Sequence, residues 1–122
     1  MLSPVLYFAT SALSVSVAPT FIIDSVLTTS GTTTSTLVAT PTGGTGSYTY
    51  AWTVLSQAGA GTMSISSPTA ASTTIAYTGL TYTGSYVAGT VRITVTDTLG
   101  QTAFTNVDIE IMQDGLGSGE IP

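Results

Sequence analysis

Between Ser25 and Val91, more than half of the 122-residue chain, there is not one Asp, Glu, Lys or Arg. Polarity in this stretch comes from Thr, Ser and Gly instead. Thr is β-branched and suits a pleated, half-buried surface, so a Thr-rich, Lys-poor chain leans toward strands. Charged residues make up only 6% of the whole chain, against about a quarter in ordinary globular domains. Hydrophobic residues make up 43%, enough for a packed core. A chain of this length builds a single domain with one such core.

No run keeps a helical period, whereas short alternating runs bounded by Gly, Pro and Ser recur. The expected strands are Phe21 to Thr28, Ser35 to Thr40, Tyr48 to Leu55, Met63 to Ser66, Thr73 to Tyr77, Thr90 to Asp97 and Thr102 to Ile111. Alternation sets Leu37 and Ala39 on one face of the second strand. In the third it groups Tyr50, Trp52 and Val54, which makes Trp52 a core residue. Val91, Ile93 and Val95 share a face, as do Val107, Ile109 and Ile111. The run Pro41 to Gly46 is a loop, because its proline and glycines favour turns over ladder pairing. About seven short strands with one Trp on the third describe an all-β sandwich.

The last hairpin is specified most closely. Asp97-Thr98-Leu99-Gly100 fits a type I turn with Asp first and Gly fourth. Gly100 then takes a left-handed conformation as a G1 bulge. This loop sets Asp97 opposite Gln101, Val95 opposite Ala103 and Val91 opposite Val107, so the two apolar faces coincide. A two-residue loop on Leu99-Gly100 would set Val95 opposite Phe104 and misalign them.

Residues 1–18 read as an extended N-terminal arm, residues 19–112 as the sandwich and residues 113–122 as a glycine-rich tail. The arm ends in Ser16-Val17-Ala18, superficially like a signal-peptidase site. It lacks a positive n-region, and Ser3, Pro4, Ser11 and Ser14 interrupt its apolar run. No stretch is long and apolar enough for a bilayer-spanning helix.

Three segments carry a family resemblance. Thr42-Gly43-Gly44-Thr45-Gly46-Ser47-Tyr48-Thr49-Tyr50-Ala51-Trp52 resembles the glycine loop and Tyr-x-Trp strand of PKD-like and related immunoglobulin-like (Ig-like) domains. Thr94-Val95-Thr96-Asp97-Thr98-Leu99-Gly100-Gln101-Thr102 resembles their closing hairpin. Ser66-Ser67-Pro68-Thr69-Ala70-Ala71-Ser72-Thr73-Thr74 is similar to a segment of Ig-like domains in tailed-phage virion proteins. Gly89 stands where the PKD pattern often has a Tyr, which favours the phage-type group. Over roughly Thr20 to Ile111 the resemblance implies an Ig-like β-sandwich attached to a capsid, tail or fibre, assisting binding without chemistry.

The residue types limit chemistry independently. There is no His or Cys and no Lys, which removes the usual triads, thiol nucleophiles, Schiff bases and zinc sites. Asp108 and Glu110 share the outward face of the last strand and read as solvated residues, not as a glycosidase pair facing across a cleft. Calcium at Asp97 with Asp24 or Asp114 lacks the DxDxDG spacing. The reading is therefore of no enzyme, no cofactor and no metal. A net charge of −5 with one cation, Arg92, excludes a nucleic-acid binder and argues against docking on anionic lipid.

Binding to other proteins is what remains. Leu6, Tyr7, Phe8 and Leu13 of the arm are costly to leave in water, at about 1.5–3 kcal/mol per large side chain. They are expected to pack on a neighbouring subunit, or on their own domain as an extra strand. Arg92 faces outward, opposite Asn106 and diagonal to Asp108, either as a surface ion pair or as an interface anchor. Tyr77, Tyr82 and Tyr86 form an exposed aromatic strip or pack beneath the Gly79–Gly89 connection. A sheet so lightly charged suits occupation in an assembly or the addition of a partner strand. The expected function is a structural protein of a tailed-phage virion: a capsid decoration or cement protein on the capsid exterior. Its partners would be the major capsid protein and further copies of itself. The alternatives are a tail or fibre component aiding attachment, or a carbohydrate-binding adhesion module.

Overall fold

The computed structural model describes residues 12–115. Within them the chain is all-β and contains no helix. In order the strands are β1 (Ser14–Ala18), β2 (Phe21–Val26), β3 (Gly31–Thr32), β4 (Leu37–Thr42), β5 (Thr49–Gly59), β6 (Thr62–Ile65), β7 (Ser72–Thr73), β8 (Ile75–Thr78), β9 (Tyr86–Thr96) and β10 (Thr102–Gln113). A four-stranded sheet runs β2-β10-β9-β5, and two three-stranded sheets run β1-β4-β7 and β3-β8-β6. All pairings are antiparallel except β2 with β10, which is parallel.

The core is sandwich-like. The four-stranded sheet contributes Ile22, Trp52, Val91, Ile93, Val95, Val107, Ile109 and Ile111, and the shorter sheets contribute Val17, Leu37, Met63, Ile75 and Tyr77. These are the alternating positions expected of half-buried strands. Trp52 is buried as the period-2 pattern predicts, and its indole Nε1 donates to the Ala70 carbonyl at 2.7 Å.

Ten strands replace the expected seven for identifiable reasons. The stretch Thr73 to Tyr77 is split at Thr74, because the Thr73 hydroxyl accepts from the Ser67 N–H and donates to the Thr74 carbonyl. Such local side-chain bonds compete with the ladder. Gly31–Thr32 is a two-residue strand in a Thr-rich run with no apolar alternation to announce it. The third addition is β1, within the segment read as an arm: Ser14 to Ala18 pairs with Thr42 to Val38, and Val17 enters the core. Of the two placements considered for the arm, this part takes the extra-strand one. Its signal was the alternation Leu13-x-Val15-x-Val17.

Two strand ends also move. Strand β9 begins at Tyr86, not Thr90, and β5 runs on to Gly59 after a register shift between Val54 and Ser56. Gly89 does not end the connection that the sequence predicts from Gly79. It lies inside the ladder, opposite Gln57. Gln113, expected in the tail, closes β10 with its side chain fully buried, and its Nε2 donates to the Thr28 carbonyl at 2.7 Å.

The closing hairpin forms as the turn chemistry predicts. Gly100 has φ 85°. The Gly100 N–H donates to the Asp97 carbonyl, and the Asp97 N–H donates to Gln101. Val95 faces Ala103 and Val91 faces Val107.

Candidate binding face

The charged side chains are unevenly distributed. Strands β1, β3, β4, β6, β7 and β8 have none, and apart from Val38 they present Ser, Thr and small residues outward. The outer face of the four-stranded sheet is different. It combines Arg92, Asp108 and Glu110 with exposed Phe21, Ile23, Phe104, Tyr86 and Met112.

Alternation on paired strands puts these residues on one face in two groups: Arg92 and Phe104 toward the hairpin end, and Phe21, Ile23, Tyr86 and Met112 around Asp108 and Glu110 toward the other. Arg92 on β9 lies directly opposite Asn106 on β10, as the hairpin register requires, and its Nε donates to the Asn106 Oδ1 at 3.0 Å. Its guanidinium stacks over the Phe104 ring, 3.9 Å from the centroid. The sequence reading placed Asp108 on the diagonal as an ionic partner. Asp108 instead accepts from the Thr90 hydroxyl at 3.1 Å. A guanidinium is weakly hydrated and planar, so an aromatic face competes well for it on a surface. The stack holds the cation flat against the sheet.

Beside this group lies a shallow groove lined by Phe21, Ile23, Ala88, Thr90, Asp108 and Glu110 among others. Asp108 and Glu110 share one face of β10 in an open trough. Among the described residues no group of three His, Cys, Asp or Glu is placed to hold a metal ion. Asp24, one of the carboxylates considered for calcium, accepts from the Thr34 N–H at 2.9 Å.

Asp97 is structural. It is buried, and its carboxylate takes the N–H groups of Thr45, Leu99 and Gln101 and the Gln101 side-chain amide. These bonds lock the Gly43–Ser47 loop to the closing hairpin. Burial raises the pKa of the carboxyl, but the Thr45, Gln101 and Leu99 N–H groups and the Gln101 amide outweigh it, so the pKa lies below the ordinary value. A depressed folded pKa gives stability that is present above the unfolded Asp value and lost as pH falls through the folded one. Asp97→Asn should therefore lower the denaturation midpoint at neutral pH and flatten its decline below about pH 4. Midpoints measured across that range check this, and equal slopes in the two proteins would refute it.

The other expected contact residues separate. Tyr77 is buried and hydrogen-bonded to the Thr28 hydroxyl at 2.7 Å, so the strip of three tyrosines does not form. Tyr82 and Tyr86 are exposed. Leu13 is half-buried against the core, with its side chain beside Gly44. Leu6, Tyr7 and Phe8 lie outside the described residues. Phe21, Ile23 and Phe104 were missed as surface residues. The signal was available: Phe21-Ile22-Ile23 is apolar at both parities, so one parity of that strand must face outward. No protein family, curated protein or solved structure matches this chain.

Proposed function

We propose that this chain is a non-enzymatic structural protein of a tailed-phage virion, built as an Ig-like β-sandwich. In this reading it decorates the capsid exterior by binding the surface of the major capsid protein. The strand arrangement supports the Ig-like part: the first strand leaves one sheet for the other, β2 joins β10 in parallel, and a buried Trp sits on the strand paired with β9. The observation that carries the binding role is the Arg92–Phe104 stack on the outer face of the four-stranded sheet, which farther along also exposes Phe21, Ile23 and Tyr86. Aromatic and Arg side chains dominate the energetics of protein interfaces. The opposite layer, uncharged and rich in hydroxyls, offers no comparable anchor.

Quantifying the protein in purified particles tests the virion role. Decoration requires copies on the order of hundreds, with loss of heat or salt resistance when the protein is absent. A few copies at the tail, with altered adsorption, would favour the attachment reading, and absence from particles would defeat both. Phe104→Ala tests the face. It removes the ring beneath Arg92 from an exposed position, so folding should be unaffected. Particle binding should weaken by about 30-fold, the equivalent of a hot spot of about 2 kcal/mol. Unchanged affinity would exclude this face.

A further inference from the structure

The two edges of the four-stranded sheet are treated differently. At the β5 edge, the Trp52 N–H donates to the Pro68 carbonyl at 2.8 Å. Farther along, the Gln57 side chain accepts from the Met63 N–H at 2.7 Å and donates to the Met63 carbonyl at 3.2 Å. That edge is covered. At the other edge, β10 is the only strand paired with β2 among the described residues.

The register shows what β2 leaves open. The Val26 carbonyl accepts from the Asp114 N–H, so Val26 directs its backbone groups toward β10. Consecutive residues of a strand direct theirs to opposite edges, so Ile22 and Asp24 also face β10, while Phe21, Ile23 and Ser25 direct N–H and C=O outward. Folded β-proteins blunt such an edge with Lys, Pro or a bulge. Strand β2 contains neither Lys nor Pro, its one charged residue, Asp24, is held by the Thr34 N–H and hydroxyl, and its ladder with β10 shows no register shift. It instead exposes Phe21 and Ile23, with Leu27 just beyond its end. The remaining edge strands lack this combination: β1 exposes Ser and Ala, β3 and β7 have two residues each and β6 four.

We infer that the β2 edge receives residues 5–9 of a second copy of this chain as an added strand. Val5-Leu6-Tyr7-Phe8-Ala9 is apolar at both parities and carries no charged side chain. Either register therefore sets large apolar side chains beside Phe21 and Ile23, and the segment brings no charge of its own to desolvate. Main-chain bonds to Phe21, Ile23 and Ser25 supply the rest of the recognition. A second copy is the donor because of how the segment departs. Strand β1 starts opposite Thr42, at the end of the sandwich that carries the Gly43–Ser47 loop. Phe21 pairs with Asp108, six residues along β10 from Thr102 at that end, or about 20 Å. Reaching its own β2 edge would require the chain to reverse and cover that distance within Thr10 to Leu13, four residues that span about 14 Å at most. This inference deepens the reading of the segment as an interface element and does not require a capsid.

The chain has no cysteine, so engineered pairs report one contact at a time. A copy carrying Ile23→Cys is mixed with differently tagged copies carrying Cys in place of Leu6, Tyr7 or Phe8, and oxidised. A covalent heterodimer is expected from at least one pair, with none when Leu55→Cys on the covered edge replaces Ile23→Cys. Deleting residues 2–11 should leave the sandwich folded and abolish self-association in sedimentation. An internal disulfide in the doubly substituted chain without covalent dimer would overturn the inference. So would equal cross-linking at Leu55, or a full-length chain as monomeric as the truncation. Particle copy number tests the capsid role separately, so failure of one does not imply failure of the other.

Discussion

Trp52→Ala is expected to lower the unfolding free energy by about 3–5 kcal/mol, the range for deleting a large aromatic from a core. Two losses combine. The indole is buried among the inward residues of both layers, so truncation leaves a void that flanking strands fill incompletely. Its Nε1 also donates to the Ala70 carbonyl at 2.7 Å, and that acceptor would lose its partner. The indole thereby ties β5 to the Ser67–Ala71 crossing, which the Trp52 backbone N–H also holds through Pro68. Trp52→Phe separates the two contributions. It keeps most of the apolar volume and removes the bond, so its cost should fall nearer about 1–3 kcal/mol. Denaturant unfolding followed by circular dichroism checks both, since neither variant retains the single tryptophan. A loss below about 1 kcal/mol for Trp52→Ala would show that the sandwich does not depend on this residue.

The legible parts of the fold were those where two independent signals coincided. Turn chemistry and apolar alternation both fixed the closing hairpin, and its register followed to the residue. Trp52 was legible because it alternates in phase with Tyr50 and Val54. What stayed hidden depended on contacts between segments distant in sequence. The break at Thr74 comes from a bond between Thr73 and Ser67, and no local pattern distinguishes that Thr from its neighbours. Gln113 reads as a polar tail residue until Thr28 and Leu80 supply carbonyls for its amide. For the candidate site, the position of Arg92 opposite Asn106 followed from the hairpin register. Its choice of Phe104 over Asp108 did not, because register places both within reach and only side-chain packing decides between them.

Gly89 carries the second large effect. Gly89→Val should cost about 3 kcal/mol, at the upper end for overpacking, and Gly89→Ala somewhat less. The requirement is space, not backbone conformation. A Cβ at this position would collide with the Ser56 carbonyl oxygen and lie 2.5 Å from Met63 Cε and 2.9 Å from Gln57 Cα. The Met63 methyl can swing away, but the Ser56 and Gln57 backbone cannot retreat without opening the β5–β9 ladder. The crowding lies next to the register shift between Val54 and Ser56, where Gly89 pairs with Gln57. Gly46→Ala is the matched control, since no heavy atom outside its chain neighbours lies within 4 Å of the added methyl. Its effect should be close to neutral, or stabilising by about 0.5 kcal/mol through the unfolded chain. Equal midpoints for Gly89→Ala and Gly46→Ala would mean that β5 yields at the shift. The long strand ending at Gly59 would then be a weak extension of the sheet and not part of its cooperative core.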